Sequence, residues 1–383
     1  MTTLAELTDD PHPALARLRE AGPVSWVPAL GAWLVTGYDV AVGVLRDART
    51  FTVDDPRFST ARVVGPSMLS LDGSRHAHHR GPFVAAFRGD AVHDRLAVFV
   101  QAETDRLVTA IRPDGQAELR RAVAGPLAVT AMAQVLGLGE HSPATILSWY
   151  DGIVAAVQAA PAVQAASAAP SVPDWIDSPA FAQLAASLRE VIARHDESLL
   201  TEATGLLTDD EVISNAAVLM FGGIETTEGM IANAMLHLLT NPAELALVRA
   251  DPDLVPAAIE ESLRLEPAAA VVDRYATADV GLGPARILAG DQVTVSISGA
   301  NRDPAVFDDP DRFDVRRANA GRHLAFAHGP HFCLGAHLAR LEARVAVVTL
   351  LARLPRLRLD PRYPAAARGL VFRKPPELRV EWD

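Results

Sequence analysis

The stretch HLAFAHGPHFCLGAHLARLE, residues 323–342, holds the only cysteine of the chain, Cys333, among four histidines, His323, His328, His331 and His337. A thiol in a Gly- and His-rich loop that runs into a helix admits four chemistries. An inert buried thiol is the common fate of a lone cysteine, but the glycines at 329 and 335 argue for backbone crowding around something. A zinc site would draw on His328, His331 or His337, at irregular spacing and with no second Cys/His cluster nearby. A nucleophile would need a base and an orienting group, and no local signature supplies them. A thiolate ligand to haem iron accounts for most of the stretch. Unpaired N–H groups and the dipole at a helix N-terminus stabilise a thiolate and lower its proton affinity. Gly335 would let those amides approach the sulfur, Phe326 would shield the far side of the metal, and His331 would donate to a carboxylate on the macrocycle's rim. On these residues alone the inert thiol and the iron ligand both stand.

Three other constellations carry polar groups in unexpected places. In LLTDDEVISNAAVLMFGGIETTEGMIANAMLHLLTNP, Thr208 and Glu211 have the form of a capping box and Asn241-Pro242 is a stop, so Asp209 to Thr240 reads as one helix. At about 1.5 Å per residue it would extend about 48 Å, long enough to cross a domain. Its middle breaks the local rules: Gly222 and Gly223 each cost roughly 1 kcal/mol against alanine, and Glu225, Thr226 and Thr227 are polar among apolar neighbours. Leu219, Gly222, Gly223, Thr226 and Met230 share a face, which puts a side-chain-free notch one turn from a hydroxyl, with a carboxylate beside it. The plain alternative is a packing notch, with Thr226 bonded back to a carbonyl and Glu225 solvated. Glu261 and Arg264 in AAIEESLRLEP stand three apart on a helix, ordinarily a surface pair worth a few tenths of a kcal/mol. His76 and Arg80 in RHAHHR stand four apart on one face, ordinarily solvated, though two cationic groups side by side suit an anionic ligand.

The elements that must position these groups are mostly helical. The chain has 383 residues, 49% hydrophobic and 21% charged, enough to bury a substantial core. Length alone suggests roughly two domains, yet no linker, charge block or repeat marks a boundary, so a single domain over 1–383 is expected. Two strand-like runs, GPVSWVP and AWLVTG, lie near the start after a short helix around Pro13 to Glu20. From LDGSRHAHHRGPFVAAF to about residue 265 the pattern is helical. The Ala-rich, Pro-broken stretch from Val154 to Ser171 predicts mobile helices or loops. Short Val/Ile-rich runs follow Pro267, then a last long helix from about Gly335. The fold class is mainly α with a small β region and a long central helix. A net charge of −12 without a basic block argues against nucleic acid. The start lacks a signal-peptide pattern and no run of 18 apolar residues occurs, so a cytoplasmic protein without a membrane anchor is expected.

FAHGPHFCLG resembles the haem-binding loop of cytochrome P-450 monooxygenases, F-x-x-G-x-H-x-C-x-G, at Phe326, Gly329, His331, Cys333 and Gly335. GGIETT is similar to that family's oxygen-activating signature, [AG]-G-x-[DE]-T-[TS], and Glu261 with Arg264 fits its E-x-x-R pair. NRDPAVFDDPDRFDVRR resembles the stretch before the cysteine loop in bacterial members. The likeness runs from about residue 10 to the end, in the family's order and spacing. One departure is Ala327, where glycine is usual; its methyl would tilt the loop slightly.

The resemblance implies a single-domain P-450 fold and a soluble, bacterial-type monooxygenase that binds haem b, iron protoporphyrin IX, and uses O2 as co-substrate. It implies Cys333 as the proximal iron ligand, whose electron donation favours O–O cleavage. His76, Arg80, Arg274 and His331 would hold the haem propionates. Gly222 and Gly223 would admit haem and dioxygen, Thr226 would hydrogen-bond the activated oxygen, and Glu225 would relay protons through water. Glu261 and Arg264 would join Arg312 or Arg317 in a structural network, the choice between the two arginines left open. By analogy the substrate pocket would take Met68, Leu69, the Ala-rich segment 154–182, Leu219, Gly222, the AAAVV stretch 268–272 with Val271, Val371 and Phe372, and admit a small or medium apolar organic substrate. Iron-sulfur ligation would need several cysteines, so electrons are expected from a ferredoxin and its reductase. Six arginines (312, 316, 317, 322, 340, 344) against Asp314 and Glu342 make the cysteine side locally positive, suited to an acidic ferredoxin; the alternative is that each arginine is spent on structure or haem. A monomer is expected. Other P-450 oxidations (coupling, demethylation, epoxidation) and a haem-binding sensor are the rival functions.

Overall fold

The computed structural model describes residues 2–166, 176–194 and 198–383. Its axis is the helix Asp209–Thr240. The Thr208 hydroxyl accepts the Glu211 N–H while the Glu211 carboxylate accepts the Thr208 N–H at 2.9 Å. The amides of Thr208 and Glu211 are thereby satisfied, and the helix stops at Asn241 before Pro242. Most of its side chains are buried on every side, from Val212 to Leu238, as a helix apolar all round requires. Around it pack the helices Gly125–Val135, Val255–Leu265 and Ala336–Arg353, the last also lying along Gly89–Ile111.

The β region is small. Five strands lie side by side in the order Val24–Val27, Ala32–Val35, Gln292–Ser296, Val271–Ala276 and Phe51–Thr52. The pairing of Ala32–Val35 with Gln292–Ser296 is parallel; the others are antiparallel. A satellite core around Val35, Val44, Val295 and Phe307 lies beneath this sheet. The two early strand-like runs and the Val-rich runs after Pro267 thus form one sheet, and the last long helix begins at Ala336.

The Ala-rich stretch is helical as far as it is described. A helix spans Pro143–Ala166, because alanine is the best helix former; its buried side chains Trp149, Tyr150 and Ile153 lie ahead of the stretch, and Val154–Ala159 are half-buried or exposed. The end of the stretch, 167–171, lies outside the described residues.

The Glu261/Arg264 pair is no surface bridge. Both side chains are 0% exposed, and Arg264 grips both carboxylate oxygens at 2.7 and 2.8 Å. Its remaining donors meet the carbonyls of Asn301, Pro310 and Arg312. Of the two arginines left open by the sequence, Arg317 joins the carboxylate, at 2.9 Å, while Arg312 contributes only its peptide oxygen. The network ties the helix Val255–Leu265 to the segment that leads into the cysteine loop. Removing one partner of a buried pair strands the other's charge, so Arg264→Met should lower the unfolding free energy by about 3–5 kcal/mol in urea titrations; an unshifted midpoint would contradict this account.

Candidate active site

Cys333 sits in a loop closed on itself. Its N–H donates to the Phe326 carbonyl at 2.8 Å, and the Phe332 N–H to the Gly329 carbonyl at 3.0 Å. Two residues inside the loop have left-handed backbone, Ala327 (φ 58°) and Gly329 (φ 72°). At Gly329 a side chain is impossible, since a Cβ would stand 2.5 Å from the Leu45 carbonyl oxygen. Ala327 adopts the φ that glycine favours, at a cost of roughly 1–2 kcal/mol, so its methyl is accommodated as backbone strain. Phe326 lies under the guanidinium of Arg340, 4.4 Å from its ring centroid, and Arg340 is itself held by Glu260 at 2.7 and 2.8 Å.

The sulfur opens onto an internal cavity and is otherwise enclosed by protein. Burial pushes its thiol pKa up, opposed by the Gly335 N–H and by Arg80 and Arg340. In the bare protein, therefore, the helix terminus alone does not depress the thiol; it offsets part of the cost of burial. Among the described residues no cluster of three or more His, Cys, Asp or Glu could hold a metal ion, which leaves the zinc reading without ligands.

The same cavity is lined by the notch of the central helix: Leu219, Gly222, Gly223 and Thr226 share its wall with Cys333 and Gly335. The two glycines do different work. Nothing lies within 4 Å of a Cβ placed on Gly222, whereas one on Gly223 would strike Met132 Sδ at 2.4 Å. Gly222 keeps space open; Gly223 lets the helix Gly125–Val135 approach. The Thr226 hydroxyl donates to the Gly222 carbonyl one turn back, as the plain alternative had it, while also lining the cavity.

Glu225 is not in that lining. Its carboxylate accepts the Tyr150 hydroxyl at 2.9 Å and pairs with Lys374 at 2.8 Å. The sequence reading had it solvated or beside the notch. Of the expected pocket residues, Met68, Leu69, Leu219, Gly222, Ala268, Ala269 and Val272 line the cavity, and none of the described residues of 154–182 does. Val271 instead faces a small cleft with Leu7 and Leu370, and Phe372 packs edge-on against Phe221 at 5.8 Å. Strand alternation decides the first case: Val272, the next residue, faces the cavity.

Four cationic or imidazole groups gather from three stretches, Arg80 and His331 in the cavity lining and His76 and Arg274 beside them. His76 and Arg80 come from the helix Gly73–Val84, Arg274 from the strand Val271–Ala276, and His331 from the loop. The rings of His76 and His331 are 4.4 Å apart. His76 Nε2 is buried without a partner. Burial, then His331 and Arg80, push the His76 pKa down to about 4. Arg274 is buried, donates to the Asp273 carbonyl at 2.7 Å, and among the described residues pairs with no carboxylate. Arg80 donates to the Phe332 carbonyl at 2.7 Å. One acid stands among them: Asp72 meets His331 Nε2 at 2.8 Å and accepts from the Thr52 hydroxyl and the Val53 N–H. Burial alone would raise its pKa, but these donors hold it down at about 2. Sequence reading missed Asp72, Tyr150 and Lys374; only the position of Asp72 just before the helix of His76 and Arg80 hinted at a role.

An apolar cavity lined by both the sulfur and the gap at Gly222, with two arginines that meet only carbonyls and a partnerless buried imidazole beside it, fits an iron porphyrin bearing two carboxylates. The cytochrome P450 family model matches residues 24–362. The chain belongs to the cytochrome P450 family. It is 38% identical over 364 residues to the cytochrome P450 monooxygenase PikC of Streptomyces venezuelae, covering 92% of this chain and 85% of that protein. The mycinamicin IV hydroxylase/epoxidase of Micromonospora griseorubida is 33% identical over 385 residues, covering 95% and 94%. The crystal structure of CalO2 superposes with a TM-score of 0.88 at 29% identity, over 100% of this chain and 99% of that one. This P450 is a haem b monooxygenase that uses O2. No helix among its described residues is long and apolar enough to cross a membrane.

Asp72 orients the His331 ring, so Asp72→Asn should speed haemin transfer to apomyoglobin roughly tenfold, the loss of one charge-assisted hydrogen bond; transfer at the wild-type rate would leave Asp72 without that role.

Proposed function

We propose that this P450 inserts one atom of O2 into a C–H bond of a small or medium apolar organic molecule, the other atom leaving as water with two electrons and two protons consumed. The observation that carries this reading is that one cavity joins the Cys333 sulfur to the Gly222–Thr226 notch. Haem, when bound, supplies the iron at which dioxygen is reduced. In this reading Cys333 is its thiolate ligand, and Arg80, Arg274, His76 and His331 hold its propionates, which supply the charge those buried groups lack. Gly222 and Gly335, where a Cβ would meet nothing within 4 Å, would leave room for the macrocycle, Gly223 sets the helix spacing, and Phe326 and Arg340 would lie on the cysteine side.

Thr226 would present its hydroxyl to the cavity and keep a water beside it, and Glu225 would bring protons to that water. The substrate lies against Met68, Leu69, Val218, Leu219, Ala268 and Val272, an apolar wall, which favours a neutral molecule. Hydroxylation is the leading reading, and epoxidation is the second, favoured by the name of the mycinamicin relative.

Electrons come from a ferredoxin and its reductase. Support lies in Arg312, Arg316, Arg322 and Arg344, all exposed on the cysteine side; Arg317 and Arg340 are spent on Glu261 and Glu260, so the attractive patch is smaller than the sequence suggested. A single-subunit, single-domain protein of the cytoplasm belongs to the same proposal.

Two variants test it. Cys333→Ala should abolish the red-shifted Soret band of the reduced carbon monoxide complex, and a retained band would remove the ligand assignment. Thr226→Ala should keep that band but divert most electrons from NADH to peroxide in assays with surrogate ferredoxin and reductase; an unchanged peroxide yield would make the hydroxyl merely structural.

A further inference from the structure

Asn215 is fully buried on the second turn of the central helix, and three segments meet at its amide. Its Oδ1 accepts the Met68 N–H at 2.8 Å, while its Nδ2 donates to the Glu211 carbonyl one turn back at 2.7 Å and meets His79 Nδ1 at 3.0 Å. Met68 stands in a turn closed by the Ser70 N–H on the Ser67 carbonyl at 3.0 Å, and it lines the cavity beside Leu69. His79 lies on the helix Gly73–Val84, one residue before Arg80. We infer that Asn215 is a positioning residue that clasps the Met68 wall of the cavity, and that His79 lets it do so only while the imidazole is neutral. This rests on the reading of that cavity as the substrate pocket.

Hydrogen-bond direction fixes the amide. A side-chain amide carries its hydrogens on nitrogen and none on oxygen. The Met68 N–H can only donate, so the oxygen must face it; the Glu211 carbonyl can only accept, so the nitrogen must face that. One orientation satisfies both, and it aims the second amide hydrogen at His79 Nδ1. That ring nitrogen is therefore the bare one, and the proton of the neutral ring sits on Nε2, which faces Glu211 Oε1 at 3.5 Å. A proton added at Nδ1 would set one N–H against another. Asn215 could turn away from it only by abandoning the Met68 N–H, a buried donor then left without a partner.

Around the ring, acid and amide pull in opposite directions. Glu211 favours a charged imidazole, and its capping bonds with Thr208 lower its own pKa, so it stays ionised. Burial outweighs that pull and moves the His79 pKa below the ordinary histidine value, with His78 and Arg75 acting in the same direction. The remaining charged groups nearby are engaged elsewhere or shared: Asp210 pairs with Arg189, His78 faces the same Glu211 oxygen at 3.5 Å, and His76 lies one turn back. On the short helix Leu199–Ala203 alongside, Glu202 pairs with Arg95. The clasp is thus closed at neutral pH, where His79 is uncharged, and opens as the pH falls. Protons have a route, since a cleft lined by Pro66, Arg75, His78 and Asp210 reaches His79.

A single amide suffices because the turn is otherwise self-contained. The Ser67 N–H meets the Ser70 hydroxyl at 3.1 Å and the Leu69 N–H the Ser67 hydroxyl at 3.4 Å, so among the described residues the Met68 N–H is the turn's backbone tie to the central helix. The coupling is reciprocal: a molecule that packs on Met68 and keeps the turn shut resists protonation of His79.

The test follows hydrogen–deuterium exchange at the Met68 amide of the haem-loaded protein between about pH 5 and about pH 8, corrected for the intrinsic pH dependence of exchange. After correction, wild type and His78→Gln should exchange roughly tenfold faster at the acid end, the loss of one buried hydrogen bond. His79→Gln, which keeps an acceptor that does not titrate, should stay protected throughout; Asn215→Leu should be unprotected throughout. Nitrogen NMR of the diamagnetic ferrous carbon monoxide complex should place the neutral His79 proton on Nε2. Entry of n-butyl isocyanide, uncharged over this range, to the ferrous iron should quicken severalfold on acidification in wild type and not in His79→Gln. A Met68 amide equally protected at both ends, a His79→Gln response that copies wild type, or a neutral ring protonated on Nδ1 would each overturn the clasp. Isocyanide entry that ignores pH while the amide responds would count instead against Met68 as a wall of the ligand pocket, the reading beneath the clasp.

Discussion

The hydrogen bond from the Cys333 N–H to the Phe326 carbonyl closes the loop that aims the only thiol of the chain at the cavity. Everything around the site serves that aim. Two left-handed residues bend the loop, one of them wedged where no Cβ fits against Leu45. The helix Ala336–Arg353 then starts within three residues of the sulfur, and the N–H of its cap residue Gly335 meets it. Burial raises the thiol's proton affinity, and the helix amides, Arg80 and Arg340 counter it. Such a sulfur is costly as a bare thiolate and well suited to a metal that takes up its charge.

The cavity itself exists because the central helix is deficient at one turn. Gly222 supplies an absence and Gly223 a close approach to Met132, so two adjacent glycines that look alike in sequence face different neighbours. The cost to the helix, roughly 1 kcal/mol each, is offset by the capped N-terminus and by burial along most of its length. The rim is built on the opposite principle, an excess of charge rather than a lack of atoms. Arg274 and His76 are buried short of partners, a situation that costs free energy unless a ligand completes it. Asp72 offsets part of that excess while holding His331 in place.

Away from the cavity, buried acids are paired with cations in two different ways. Glu261 is shared by two arginines and touched by the Asp314 amide, a rigid knot behind the cysteine loop. Glu225 and Glu228 share one lysine. The first geometry resists change, since each donor has a fixed direction; the second tolerates it, since the ammonium has none.

The sequence by itself determined the long capped helix, the run of the small sheet and the lone thiol at the start of the last helix, because each is written in local spacing: capping box, β-rich runs, a glycine-bounded loop. The motifs Gly222–Thr226, Glu261/Arg264 and the cysteine loop were legible for the same reason. What only the tertiary structure decided involves partners distant along the chain. Arg317 rather than Arg312 reaches Glu261, Val272 rather than Val271 faces the cavity, and Glu225 turns to Tyr150 and Lys374, 75 and 149 positions away. Side-chain periodicity tells which residues share a face, but which charge fills the space opposite depends on how separate segments pack, and no local pattern encodes that.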